Sequence, residues 1–151
     1  MKNFISEYLS DDSLETITGE IAKIENGTSG ELRLCIKKRR GFLERKKTPR
    51  EIALKQFVKL NMHKTKDKTG VLMLLLLDDH RFEIIADEGI NSKISDQQWE
   101  EIASRLTGHF REGKYLDGIL FGIRQIGEVL NKEFPVKPDD KNELSNDVVI
   151  G

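Results

Sequence analysis

Hydrophobic residues recur along the chain with two different periods, which predict alternating helices and strands. Residues 12–26 carry leucine and isoleucine at steps of three and four, the spacing of an amphipathic helix, and an Asn-Gly pair ends it. Residues 31–38 instead alternate between apolar and polar positions. This alternation predicts a first strand with Leu32, Leu34 and Ile36 on one face and the polar residues on the other.

The centre of the chain predicts a helix followed by a hairpin. Thr48 and Glu51 form a capping box with a proline between them, which predicts a helix start. Residues 71–77 are apolar at every position, which is typical of a central strand that helices cover on both faces. A polar turn over residues 78–80 then leads to a strand over 81–86, so the two strands are expected to form an antiparallel hairpin.

Two more amphipathic helices complete the pattern. A capping box that starts at Ser95 opens one helix, and Gly113 ends it. The last helix carries Gly118 and Gly122 one turn apart. Because glycine costs about 1 kcal/mol relative to alanine inside a helix, this pair indicates close backbone packing.

The order of these elements predicts one α/β domain over residues 1–134. A parallel pair of strands, an antiparallel strand and helices on both faces would form its small mixed sheet and its layers. The prolines, aspartates and asparagines of residues 135–151 predict an extended or disordered tail.

Composition narrows the functional classes. The 151 residues include 25 basic and 26 acidic side chains, so the net charge of −1 argues against an ordinary basic nucleic-acid binder. A single cysteine, Cys35, excludes an intramolecular disulfide and is too few for a structural zinc site. The N-terminus lacks the apolar core of a signal peptide, and an apolar run of seven residues is far below the ~20 that cross a bilayer. A soluble cytoplasmic protein is expected.

Carboxylates are predicted to gather at the edge where the two parallel strands begin, which we call the first rim. Glu31 opens the first strand, and Asp87 and Glu88 follow the third, antiparallel strand. Carboxylate oxygens are the ligands that Ca²⁺ and Mg²⁺ prefer, so these three residues are a candidate cation site. The structural alternative is that Glu31 pairs with a basic side chain and that Asp87 caps a turn.

The opposite edge, where the parallel strands end, is the second rim. Ligands of α/β sheets commonly bind beyond the carboxyl ends of parallel strands, and Asp78 and Asp79 lie there. These two carboxylates are a reserve cation site or an acid and base pair. The alternative is an ordinary hairpin turn, in which aspartate is common.

Charge is strongly segregated along the chain. Residues 37–68 contain 13 basic and 3 acidic side chains, whereas residues 78–101 contain 2 and 8. The basic loop, residues 37–50, is a candidate surface for an acidic protein, a nucleic acid or an anionic membrane, although no strong nucleic-acid motif accompanies it. The alternative is a solvated loop. The basic side chains proposed to contact such a partner are Lys37, Lys38, Arg39, Arg40, Arg45, Lys46 and Lys47.

Several segments together resemble the TPM domain family. They are the string from Thr28 to Arg33, the strand opening from Thr69 to Leu72, Phe82 to Ile90, Phe110 to Gly122, and the closing Phe134-Pro135 with Asn142 to Leu144. Their order and spacing carry the resemblance, which extends from about residue 11 to residue 144.

The resemblance implies a three-layer α/β/α Rossmann-like sandwich. It also implies binding of a divalent cation such as calcium, and a phosphatase activity described for a plant thylakoid member. Many members carry a signal peptide and a membrane helix, and this sequence shows neither pattern. A bound cation would polarise a phosphate oxygen and lower the pKa of a water molecule, but no nucleophile motif such as G-x-S-x-G is present.

Overall fold

The computed structural model describes residues 7–136 and 148–150, which form five α-helices, four strands and two single-turn 3₁₀ helices. Their order follows the prediction, with two additions: the short helix α3 and the short strand β4. The bounds are α1 Asp11–Glu25, β1 Glu31–Lys37, α2 Pro49–Lys59, β2 Gly70–Leu76, β3 Arg81–Ala86, α3 Glu88–Asn91, α4 Asp96–Arg111, α5 Tyr115–Glu133 and β4 Val149–Ile150.

The four strands form one mixed sheet in the order β3-β2-β1-β4. Strands β1 and β2 are parallel, with Glu31 opposite Gly70, and β3 returns antiparallel to β2 with Ala86 opposite Val71. The predicted parallel pair and antiparallel hairpin are therefore confirmed. The parallel connection runs through α2, as a crossover between parallel strands requires.

Helices cover both faces of the sheet, which confirms the three-layer α/β/α arrangement. Helices α1, α4 and α5 pack on the face that carries Leu32, Leu34 and Ile36. Helix α2 packs on the opposite face, where Cys35 lies among the alternate residues of β2. The strand β2 is buried at every position because both layers cover it.

The glycines of α5 allow the close helix packing that their spacing predicts. A Cβ atom on Gly118 would lie 2.9 Å from Phe110 Cε1, and one on Gly122 would lie 2.9 Å from Met73 Cε. A third glycine, Gly127, lies where a Cβ would come within 2.6 Å of Ile24 Cδ1. These positions bring α5 against α4, the sheet and α1.

Part of the predicted tail joins the sheet. Strand β4 pairs in parallel with Cys35 and Ile36 of β1, and no hydrophobic period predicted this strand. It covers only the end of β1, so the edge of β1 near Leu32 has no strand beside it among the described residues. Residues 137–147 and residue 151 of the predicted tail lie outside the described residues. Within the described part of the chain, no helix is both long enough and apolar enough to span a membrane.

Candidate functional site

The sheet topology assembles the first rim as predicted, with Glu31 and Asp87 on either side of Gly70. Gly70 is the register partner of Glu31, and its carbonyl oxygen accepts a hydrogen bond of 2.9 Å from the Asp87 N–H. Strands lie about 4.8 Å apart, so the two acidic residues start about 10 Å from each other along the rim. They belong to one edge, but their side chains have separate surroundings.

Glu31 meets a carboxyl group that the sequence analysis did not select. Glu31 is only 4% exposed. Its carboxyl lies within hydrogen-bonding reach of the carboxyl of Glu25, at the end of α1. Burial and then the hydrogen bond and negative charge of Glu31 raise the pKa of Glu25 to about 9. The backbone N–H of Leu32 and the charge of Arg33 oppose this shift of the Glu25 pKa without cancelling it. These effects favour one proton on the Glu25–Glu31 pair at neutral pH.

Glu25 also covers the open edge of β1. Its Oε2 accepts a hydrogen bond of 3.2 Å from the backbone N–H of Leu32, which faces away from β2. Its Oε1 is buried, and no donor of the described residues reaches it. Pairing an edge N–H with a side chain blocks the addition of another strand there. The same carboxyl thus closes the sheet edge and faces Glu31.

Asp87 adopts the capping role that the structural alternative predicts. Its Oδ1 accepts a hydrogen bond of 2.8 Å from the backbone N–H of Glu88, at the start of α3. Its Oδ2 is buried and has no hydrogen-bond partner among the described residues. The Glu88 residue is exposed.

The hydroxyl of Thr28, next to Glu31 in the rim, donates to the carbonyl oxygen of Leu130 at 3.0 Å. It ties the start of β1 to α5. The described residues contain no group of three or more His, Cys, Asp or Glu side chains placed to hold a metal ion together.

At the second rim, both aspartates lie in the turn between β2 and β3 and contact basic side chains. Arg39 Nε is 3.7 Å from Asp78 Oδ2, and Arg40 Nε is 3.5 Å from Asp79 Oδ2. Tyr8 donates a further hydrogen bond to Asp78. These contacts are those of a paired hairpin turn, and they occupy carboxylate oxygens that a cation would need.

The next residue of that turn, His80, completes a small polar and aromatic cluster. Its Nδ1 lies 2.9 Å from the hydroxyl of Tyr115, and the two rings stack with centroids 6.1 Å apart. Tyr115 in turn packs against Phe110 and Tyr8. The cluster fastens the N-terminal segment and the start of α5 to the second rim.

Cys35 lies in the middle of the sheet, away from both rims. It is fully buried, and burial raises the pKa of its thiol to about 11. A nucleophilic cysteine requires a thiolate, which this environment disfavours. Cys35 is therefore a structural residue of the core under α2.

Sequence reasoning selected Glu31 but missed Glu25, its partner in the pair. Glu25 is the last residue of an amphipathic helix, where an acidic side chain is unfavourable for the helix dipole. That mismatch is the one signal in the sequence that marks it. A glutamate in this position is otherwise expected to be a solvated surface residue.

The chain is similar to known proteins in both sequence and fold. The family model of the TPM domain matches residues 5–129 of the chain. The NMR structure of the BA42 protein from the psychrophilic bacterium Bizionia argentinensis is 33% identical, with a TM-score of 0.84 over 97% of this chain and 98% of that one. No curated protein sequence matches the chain.

Two more distant structures share the fold alone. The N-terminal domain of a protein from P. gingivalis has a TM-score of 0.69 at 23% identity, over 85% of this chain and 80% of that one. The N-terminal domain of the cg2496 protein from Corynebacterium glutamicum has a TM-score of 0.63 at 7% identity, over 91% and 83%.

Proposed function

This chain belongs to the TPM domain family, and we propose that it binds a divalent cation, calcium or magnesium, at the first rim of its sheet. The observation that carries the proposal is the contact between the carboxyl group of the buried Glu31 and that of the half-buried Glu25. Asp87 and Glu88 follow β3, on the other side of Gly70 at the same rim.

Two carboxylates in contact repel each other unless a positive charge lies between them. In the absence of metal a proton removes one of the two negative charges, and burial followed by the hydrogen bond and charge of Glu31 raises the pKa of Glu25 so that the proton is held. A hard divalent cation prefers the same oxygens and replaces the proton. Binding of the cation therefore releases a proton and becomes tighter as the pH rises from 7 towards 9.

Backbone NMR during titration with Ca²⁺ and then Mg²⁺ tests the proposal on the full chain. We expect shifts centred on residues 25–33, with smaller shifts at residues 87–89. Glu25→Gln and Glu31→Gln keep the size of the side chain and should each weaken binding at least tenfold. Asp79→Asn, at the second rim, is the matched control and should bind as the wild type does.

Proton release gives an independent measurement. An unbuffered titration at pH 7.5 should take up close to one equivalent of base per cation bound, and Glu25→Gln should remove this uptake. Shifts confined to residues 78–80 would move the site to the second rim, and the absence of any shift at millimolar cation would overturn the proposal.

The phosphatase activity implied by the resemblance depends on such a cation and stays a prediction, as does the cytoplasmic location. Hydrolysis of a generic phosphomonoester that requires added metal and is lost in Glu31→Gln would support the activity. Hydrolysis at the level of the buffer blank would exclude it for that substrate.

A further inference from the structure

Two large apolar side chains project from the basic loop into solvent. Phe42 is 77% exposed and Leu43 is 87% exposed, more than any other large hydrophobic residue in the described part of the chain. They are neighbours in one short 3₁₀ turn, Phe42–Glu44. Scattered exposed apolar residues are ordinary, but two adjacent ones at the tip of a charged loop form a specific surface feature.

The turn is held from behind by the next residue, Glu44, which is buried. One carboxylate oxygen, Oε1, accepts hydrogen bonds of 2.8 Å from both Lys37 Nζ and the backbone N–H of Gly41. The Glu44 N–H donates to the Gly41 carbonyl at 2.9 Å. The fold therefore fixes the turn without using Phe42 or Leu43, whose side chains stay available for a partner.

The bond from Lys37 also pairs the negative charge of Glu44 within the loop. Glu44 is the one acidic residue between positions 37 and 47, and Lys37 neutralises it. In the described part of the chain, no acidic side chain lies within ion-pair distance of Arg45, Lys46 or Lys47, and the first two of these residues are exposed. Arg45 places its guanidinium 5.0 Å from the centroid of the Phe42 ring.

We propose that the turn of Phe42 and Leu43, with Arg45, Lys46 and Lys47 around it, is a docking surface for an anionic lipid membrane. The lysines and the arginine contact the negatively charged headgroups, and the two apolar side chains enter the interfacial region below them. The cationic loop attracts such a surface locally because charges elsewhere on the protein are screened beyond about 8 Å at physiological salt.

The presence of Leu43 favours a membrane over the other anionic partners, a nucleic acid and an acidic peptide. A single-stranded nucleic acid gains from aromatic rings on which bases stack, and Leu43 has no such face. An acidic peptide in water offers the basic residues a partner but offers Phe42 and Leu43 no apolar phase. A bilayer surface offers anionic headgroups to the basic side chains and an apolar phase to Phe42 and Leu43.

The test uses the full chain and sedimentation with vesicles of phosphatidylcholine alone or with roughly one third phosphatidylserine. We expect binding to the anionic vesicles only, with an affinity that falls as salt is raised. Phe42→Ser/Leu43→Ser should weaken binding at least tenfold at unchanged net charge. Arg45→Glu/Lys46→Glu should weaken it by a larger factor, because each basic residue contributes about fivefold and the substitution reverses the charge.

Lys66→Glu/Lys93→Glu is the matched control, since it makes the same charge change at exposed lysines outside the loop. It should keep most of the binding. All variants should keep the wild-type thermal midpoint because the substituted side chains are exposed.

The proposal is overturned if anionic vesicles are not bound, or if Phe42→Ser/Leu43→Ser binds them as tightly as the wild type does. It is also overturned if a single-stranded oligonucleotide or a poly-glutamate peptide binds the loop more tightly than the vesicles do. Each of those two results would assign the loop to the partner that bound.

Discussion

The hydroxyl of Tyr8 donates a hydrogen bond of 2.6 Å to Oδ1 of Asp78, a residue 70 positions later in the chain. The Tyr8 ring also stands edge-on to Tyr115, with centroids 5.1 Å apart. The contact fastens the segment before α1 to the turn between β2 and β3, and it commits Asp78 to a structural partner. The hydrogen bond to Asp78, followed by burial and the negative charge of Asp78, raises the pKa of Tyr8 to about 12.

Replacing Asp78 should lower the pKa of Tyr8. Asp78→Asn removes the negative charge and weakens the acceptor, so the pKa of the phenol should fall towards its ordinary value of 10.0, while burial and the charge of Glu7 keep it above that value. The chain has two tyrosines, so a Tyr115→Phe background leaves Tyr8 as the only one. Absorbance at 295 nm against pH measures the titration. Asp79→Asn is the control, and an equal midpoint in both asparagine variants would contradict the assignment.

Glu25 should make the folded protein less stable as the pH rises from about 5 to about 9. Its pKa is raised to about 9 on folding, against an ordinary value of 4.5, so the folded state holds a proton that the unfolded state has lost over this range. The free energy of unfolding therefore falls with rising pH until the folded group also titrates. Urea midpoints at several pH values measure the slope.

Glu25→Gln is the matched variant for this prediction, because the amide stays neutral at every pH. Its urea midpoint should change less between pH 5 and pH 9 than that of the wild type. Equal slopes in the two proteins would mean that Glu25 titrates as an ordinary surface carboxyl.

Glu44 should stabilise the fold at neutral pH and lose this effect in acid. Burial by itself would raise the pKa of Glu44, but the hydrogen bonds from Lys37 and Gly41 and the nearby positive charges lower it below 4.5. The stabilisation is therefore full above the unfolded pKa and is lost as the pH falls through the folded one. Glu44→Gln should reduce the free energy of unfolding by about 1–3 kcal/mol at pH 7.

The difference between Glu44→Gln and the wild type should narrow below pH 4, which urea unfolding at pH 3 and pH 7 would show. Glu101→Gln, at an exposed position of α4, is the control and should change the stability little at either pH. A difference that stays constant with pH would mean that charge plays no part at Glu44.

Two glycines in helix interiors should respond to alanine with opposite signs. A Cβ on Gly127 would lie 2.6 Å from Ile24 Cδ1 and 2.8 Å from Ile24 Cγ1, so Gly127→Ala should lower the free energy of unfolding by about 1–2 kcal/mol. A Cβ on Gly19 would have no neighbouring atom within 4 Å, so Gly19→Ala should raise the free energy of unfolding by about 0.5–1 kcal/mol. Chemical denaturation measures both values, and stabilisation by Gly127→Ala would show that α1 and α5 have room to separate.

Hydrophobic period and capping residues determine most of the fold, because each is a property of a few neighbouring residues. The capping boxes at Thr48 and Ser95 begin α2 and α4 where the sequence predicts. The alternation in β1 places Cys35 and Leu34 on opposite faces of the sheet. The uninterrupted apolar run of β2 predicts that this strand lies inside the sheet, covered on both faces. The sequence does not predict β4, since a two-residue strand has no period.

The sequence by itself determined which residues reach each rim, because parallel strands joined by a crossover must begin at one edge and end at the other. Only the tertiary structure decided which carboxylates are paired there. Packing of α1 against α5 and β1 brings Glu25 beside Glu31, while the hairpin turn brings Asp78 and Asp79 beside Arg39 and Arg40. Such side-chain contacts depend on how elements pack against one another, which local sequence patterns do not encode.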